Sequence, residues 1–247
     1  MPRYRATLEY DGTPFCGWQR QEGVLSVQEV VETALSQLTT LPVTVFAAGR
    51  TDAGVHALGQ VVHFDLEKPW SPYRLQEALN FHMQPHPVAV LSASETSPDF
   101  HARLHARERH YRYTIINRRA PLCLEKHRAW SMRSPLDVAA MEMAVQCLVG
   151  QHDFTTFRAK DCQSRSPVKT LNAIHVARQE DRITIHVRAP SFLHHQVRNI
   201  VGSLVLVGRG FWSSEHFCEA LEAKSRAAGG PTAPPQGLFF SHVTYSG

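Results

Sequence analysis

The chain opens on an alternation of apolar and polar residues. Tyr4, Ala6, Leu8 and Tyr10 alternate with Arg3, Arg5, Thr7 and Glu9, a period of two that predicts a half-buried strand. Asp11-Gly12-Thr13-Pro14 breaks it, and residues 15–21 read as a loop. Ser26-Val27-Gln28-Glu29 has the form of a capping box. Val27, Val30, Val31, Ala34, Leu35 and Leu38 then recur at helical spacing, which predicts a helix with one apolar face. Strands are expected over residues 43–48, 59–66 and 88–92. A second helix runs from Ser71-Pro72 to near Phe81, its proline suited to a first turn. The order is strand–helix–strand–strand–helix–strand, the split βαβ pattern.

The second half repeats that order in outline. Residues 111–117 read as a strand, and Ser134-Pro135 is expected to cap a helix ending near Gly150. Residues 171–178 and 182–189 form an expected hairpin, the latter alternating Ile183, Ile185 and Val187 with polar residues. Helices are expected over 192–207 and 213–227, with a closing strand over 238–245. Residues 229–237, rich in Gly and Pro, read as a loop. The expected fold is α+β: two ferredoxin-like (βαββαβ) halves, residues 1–100 and 101–247, forming a largely antiparallel sheet with helices on one face and a cleft between the halves.

Composition narrows the class. A hydrophobic content of 43% beside 19% charged residues is that of a folded chain. No apolar h-region follows Met1-Pro2-Arg3-Tyr4-Arg5, so no signal peptide is expected. The longest nearly apolar run, residues 200–208, is too short to span a bilayer. Five cysteines without a C-x-x-C suggest reduced thiols in the cytoplasm rather than a disulfide framework. The net charge of +4 is modest, but between His101 and Arg119 lie six arginines, three histidines and one acid, Glu108. With Tyr111 and Tyr113 interleaved, that strip suits a polyanion, most commonly nucleic acid.

The candidate chemistry centres on Ala48-Gly49-Arg50-Thr51-Asp52-Ala53-Gly54-Val55-His56. A plain hairpin turn needs only a few residues, whereas this stretch sets one carboxylate among glycines and an arginine. Asp52 could be a turn residue bonding its own backbone, a nucleophile, a general base or a metal ligand. No other acid occurs between Ala47 and Phe64, which favours nucleophile or base. The fifteen histidines match no zinc spacing, so no metal is expected. Tyr111 and Tyr113 share a strand face, as a core pair or as a stacking platform for a base. Arg198 lies in an amphipathic run and could turn inward to hold a carboxylate such as Asp52.

These motifs together resemble the TruA family of tRNA pseudouridine synthases. Gly49-Arg50-Thr51-Asp52-Ala53-Gly54-Val55-His56 and Gly59-Gln60-Val61-Val62-His63-Phe64 carry the family signature. Tyr10-Asp11-Gly12, Phe15-Cys16-Gly17-Trp18-Gln19, Asp99-Phe100-His101-Ala102-Arg103, Tyr111-Arg112-Tyr113, Asp153-Phe154-Thr155, Cys162-Gln163-Ser164-Arg165 and residues 192–202 follow in the family's order. Residues 120–128 and 229–236 match least, as surface connections would. The resemblance implies a cytoplasmic, cofactor-free isomerase that flips out uridines at positions 38, 39 and 40 of the tRNA anticodon stem-loop and converts them to pseudouridine. It puts the nucleophile at Asp52, the base-stacking tyrosine at Tyr111 and the carboxylate-pairing arginine at Arg198. RNA contacts fall on Arg50, on Phe100, His101, Ala102, Arg103 and Leu104, and on Asp161, Cys162, Gln163, Ser164 and Arg165. It also implies a homodimer. Two other readings are a silent RNA-binding module, which leaves Asp52 and Arg198 without a role, and a histidine-based metallohydrolase.

Overall fold

The computed structural model describes residues 1–245. In chain order these form β1 (Arg3–Tyr10), α1 (Val27–Ser36), β2 (Phe46–Ala47), β3 (His56–Asp65), α2 (Pro72–His82) and β4 (Val88–Thr96). There follow β5 (Ala106–Asn117), β6 (Trp130–Met132), α3 (Val138–Val145), β7 (Gly150–Asp153), β8 (Val168–Leu171), β9 (Ala173–Gln179) and β10 (Arg182–Ala189). Helices α4 (Gln196–Gly208) and α5 (Ser214–Glu222) and strand β11 (Leu238–Tyr245) close the chain. The fold is α+β, with mostly antiparallel pairing. Among the described residues no helix is long and apolar enough to cross a membrane.

Two compact units result. The first is Met1–Arg109 with the chain from Phe239 onward, and the second is His110–Leu238. Sequence order suggested one cut, after residue 100. Contacts instead divide the chain inside β5 and return the closing strand to the first unit, because β11 pairs in parallel with β3 through Phe239–His56 and Phe240–Ala57.

In the first unit the strands run β4-β1-β3-β11, with β2 on β3. β1 lies antiparallel to β3 and β4, and β2 antiparallel to β3. The expected alternation holds: Tyr4, Ala6, Leu8 and Tyr10 are all buried. Ser26 caps α1 by accepting from the Glu29 N–H, and Val27, Val30, Val31, Ala34 and Leu35 are buried, the valines and the leucine each worth roughly 1.5–3 kcal/mol relative to exposure. Ser71 caps α2 ahead of Pro72. The strand expected over 43–48 shrinks to two residues, because side chains of α1 take its backbone partners. The Val45 N–H donates to Glu32 Oε1 at 3.1 Å and its carbonyl accepts from Gln28 Nε2 at 3.4 Å.

In the second unit β5, β10 and β9 lie side by side with β6 parallel to β5, while β7 and β8 form a separate antiparallel ribbon. Residues 130–132, 150–153 and 168–171 are too short to show a period. Helices α3, α4 and α5 pack on one another, burying Met141, Phe157, Ile200, Leu204 and Phe217. Three helix boundaries differ from expectation. Asp137, not Ser134, caps α3; the Ser134 carbonyl instead accepts from the Asn117 amide at 2.7 Å. α4 begins at Gln196, after His195 in the left-handed region at φ +60, so residues 192–195 are loop. α5 stops at Glu222, ahead of Lys224 at φ +48. The expectation of reduced thiols also fails in part. Cys147 and Cys218 form a disulfide, while Cys16, Cys123 and Cys162 are free.

Candidate active site

Between β2 and β3 the chain turns where the Val55 N–H donates to the Asp52 carbonyl at 3.1 Å. Gly54 completes the turn at φ +75, a conformation costly for residues with a Cβ. The turn is held from several stretches at once. The Thr51 carbonyl accepts from the Trp18 N–H at 3.0 Å, and the Gly54 N–H reaches the Phe15 carbonyl at 3.3 Å. The Thr51 hydroxyl shares a buried 2.8 Å hydrogen bond with the Tyr10 hydroxyl. Gln60, fully buried, grips Gly49 twice, donating to its carbonyl at 2.6 Å and accepting from its N–H at 3.4 Å. Burial pushes the Tyr10 phenol up to about 12, against the opposing pull of its bonds to Thr51 and Gln60, so it is neutral at physiological pH.

Two glycines let the underlying loop come close. Gly17 sits at φ +94, and a Cβ there would stand 2.6 Å from the Thr51 carbonyl oxygen and 3.1 Å from the Asp52 carbonyl carbon. A Cβ on Gly12 would meet the Val55 carbonyl oxygen at 2.1 Å. The motifs Tyr10-Asp11-Gly12 and Phe15-Cys16-Gly17-Trp18-Gln19 are thus the shelf under the Asp52 turn. On that shelf Asp52 is half-buried and Arg50 is exposed.

The same unit carries residues 100–104. The Ala102 N–H donates to His63 Nδ1 at 3.1 Å, and the Ala102 carbonyl accepts from the Tyr245 hydroxyl at 2.8 Å. The Phe100 carbonyl accepts from Arg3 at 3.0 Å, and Arg5 lies over the Phe100 ring at 5.8 Å. His101 packs 4.6 Å from His63, ring centre to ring centre. Arg103 and Leu104 are left exposed at the tip. His101, expected in a solvated basic strip, is therefore partly structural. Arg109 departs further from that expectation, since its guanidinium donates to backbone carbonyls of its own unit.

In the second unit the two tyrosines of β5 part company. Tyr113 is fully buried, donates to the Pro234 carbonyl at 2.7 Å and packs on Gly237, where a Cβ would stand 2.5 Å from its ring. Tyr111 is half-buried, with Phe192 meeting its ring edge-on at 5.0 Å between centroids. Arg198, on the first turn of α4, donates through Nε to the Ala233 carbonyl at 2.9 Å. The Gly/Pro-rich loop, taken for a surface connection, is pinned to that helix. Ala233 is buried, its N–H returns a 3.0 Å bond to the Arg198 carbonyl, and Gly202 alone admits the Pro231 carbonyl, which would stand 1.7 Å from a Cβ.

Residues 161–165 form an exposed turn in this unit. Arg158 supports it by donating to the Cys162 carbonyl at 2.7 Å and the Ser164 carbonyl at 2.6 Å. Cys162 Sγ accepts from the His194 N–H at 3.4 Å. Burial alone would raise the Cys162 thiol, but the Ser164 and His194 N–H groups and Arg158 outweigh it and hold the thiol below its ordinary range. Asp161, Gln163 and Arg165 face solvent.

Asp52, Arg50 and residues 100–104 thus lie in the first unit, and Tyr111, Arg198 and residues 161–165 in the second. Sequence reasoning assigned no role to the residues that hold these groups: Gly12, Gly17, Tyr10, Thr51, Gln60, Arg109 and Arg158. The signal for the first five was their place in the motifs that carry the family resemblance; Arg109 and Arg158 had none.

Comparison with known proteins gives the family. The tRNA pseudouridine synthase family matches residues 6–104 and 144–246. A tRNA pseudouridine synthase A of Paramagnetospirillum magneticum is 54% identical over 246 residues, covering 100% of this chain and 96% of the relative. Those of Maricaulis maris, 53% identical over 247 residues, and Parvibaculum lavamentivorans, 54% over 245, cover at least 99% of both chains. The chain belongs to the tRNA pseudouridine synthase family, a family of isomerases.

Proposed function

We propose that the protein isomerises uridine to pseudouridine at positions 38, 39 and 40 of the anticodon stem-loop of tRNA, without metal or cofactor, with Asp52 as the nucleophile. The observation that carries this reading is the Asp52 turn, held by Tyr10, Trp18, Gln60 and the close approach of Gly17, in a chain of this family. A nucleophile gains most from being fixed before the substrate arrives.

The reaction breaks the C1′–N1 glycosidic bond, turns the uracil and joins its C5 to C1′; the C5 proton is released to solvent and N1 takes one up, so the products balance without an external reactant. Asp52 provides the carboxylate that bonds covalently to the nucleotide in the first step, and that bond is broken again by the time the product leaves, which regenerates the carboxylate. A nucleotide in a stem must leave the stack, at roughly a few kcal/mol; Arg50, exposed two residues before Asp52, contacts the RNA beside the flipped nucleotide. Tyr111 stacks on the extruded base, Tyr113 being committed to the core. Arg198 pairs with the Asp52 carboxylate and holds it ionised. It is the family resemblance that joins Asp52 of the first unit with Tyr111 and Arg198 of the second.

Residues 100–104 and 161–165 contact the tRNA, largely through phosphates, so affinity falls with salt. Each half is ferredoxin-like; the order β4-β1-β3 with β2 on β3 supports this for the first. The protein works as a cytoplasmic homodimer. A silent RNA-binding module is the second reading, favoured only by the aromatic and basic surface. Incubating the protein with unmodified tRNA and mapping pseudouridine separates the two. Pseudouridine confined to positions 38–40 is expected, and tRNA binding without any pseudouridine would leave the module.

A further inference from the structure

The arginines between His101 and Arg119 invite a common reading as phosphate contacts, and Arg109 does not fit it. Its guanidinium turns into its own unit. Nε donates to the Ala48 carbonyl at 3.2 Å, and one terminal nitrogen reaches the same oxygen at 3.0 Å and the Arg103 carbonyl at 2.6 Å. The other terminal nitrogen donates to the Ala106 carbonyl at 3.1 Å. These bonds fix the side chain among three carbonyl oxygens, an arrangement that a planar fork of five donors suits and an ammonium cannot reproduce.

The carbonyls that Arg109 joins lie at two functional places. Ala48 is the last residue before the Gly49–His56 turn; it is buried, and its N–H donates to the Val61 carbonyl at 2.8 Å. The residue therefore has little freedom once Arg109 holds its carbonyl. Arg103 is the exposed tip of the segment seated on His63 and Tyr245. We propose that Arg109 is a positioning residue, a strut that ties the stem of the Asp52 turn to the 100–104 segment, and that it binds no phosphate. RNA seated on that segment thereby meets a carboxylate already in register. The inference rests on the reading of Asp52 as the nucleophile.

The test compares Arg109→Lys, which keeps the charge and loses the fork, with Arg109→Gln, which loses both. Tritium release from C5-labelled uridine in tRNA is followed at saturating enzyme, and tRNA affinity is measured across a salt series. Both variants are expected to lower the saturating rate about 10- to 100-fold, with tRNA Kd within about threefold. The slope of log Kd against log salt is expected to stay unchanged, since no phosphate contact is lost. A wild-type rate in both variants overturns the proposal. So does a slope reduced by about one contact in Arg109→Gln with a normal slope in Arg109→Lys, the mark of a phosphate ligand. Loss of the thermal unfolding transition in both would make Arg109 a residue of the fold alone and also overturns it. Asp52→Asn is run beside them. Turnover by that variant removes the nucleophile reading itself, whereas a silent Asp52→Asn with wild-type Arg109 variants removes only the strut.

Discussion

Two loops of this protein are held in opposite ways. The Asp52 turn is fastened at Ala48, Gly49, Thr51 and Gly54 by Arg109, Gln60, Tyr10, Trp18 and Phe15, with Gly17 pressed against its backbone. The 161–165 turn faces solvent and leans on one side chain, Arg158. On the roles proposed above for the two loops, the difference separates two tasks. A reacting carboxylate gains rate from being fixed to within a fraction of an ångström, while a turn that meets a nucleic-acid backbone needs charge and reach more than rigidity. Changes under the first loop should therefore be read in kcat, and changes under the second in Kd.

The largest expected effect breaks that contrast at its root. In Gly17→Ala the new Cβ meets backbone on a positive-φ residue, so the Asp52 turn must move, and kcat is expected to fall about 100-fold. Single-turnover tritium release would measure it, and a normal rate would show that the turn has slack. Smaller in size are Tyr10→Phe, which orphans the buried Thr51 hydroxyl, and Thr51→Val, which leaves the Tyr10 hydroxyl to Gln60 alone, at about 1–2 kcal/mol or less each. We expect about tenfold lower kcat with KM within about twofold, and recovery of most of the rate in Thr51→Ser, as steady-state kinetics would reveal. On the other side of the comparison, Arg158→Ala releases the Cys162 and Ser164 carbonyls. Filter binding is expected to show tRNA Kd raised about fivefold, a loss of about 1 kcal/mol, with the saturating rate within about twofold.

Acid supplies the smallest effect at neutral pH. His63 is buried beneath residues 100–104, and burial, helped by the charges of His101 and Arg3, brings it down to about 4. An unfolded histidine titrates near 6.5, so between about pH 6.5 and 4 the unfolded chain binds a proton that the folded chain refuses. Stability is thus full above that window and falls as pH drops through it, by on the order of 3 kcal/mol. Denaturant midpoints at several pH values should record that loss, reduced in His63→Gln.

How much of this could be read from the sequence depended on the range of the forces involved. The alternation of β1, the Ser26 and Ser71 caps and the helical period of α1 are local, and each appears where the pattern put it. The short strands β6, β7 and β8 exist through their partners, not their propensities. Phe192-Leu193-His194-His195 looked helical because its apolar spacing is right, yet a left-handed His195 delays α4, and no periodicity shows a single φ. The Cys147–Cys218 bond joins residues 71 apart and is invisible to motif spacing. At the site, Asp52 announced itself by its odd company of glycines and arginine. Its supports did not, since Gln60 reads as one polar residue in an apolar strand, and Arg109 reads as one more positive charge. Between Tyr111 and Tyr113 the spacing could not choose, whereas the Tyr113 bond to Pro234 and its contact with Gly237 commit Tyr113 to the core.

On the proposed mechanism Asp52 is the group that reacts. Asp52→Asn keeps the shape of the side chain and removes its charge. Measured against C5-tritiated tRNA at saturating enzyme, it should release no tritium above background while binding that tRNA within about threefold of the unaltered protein. Tritium release at an appreciable fraction of the normal rate would contradict the account.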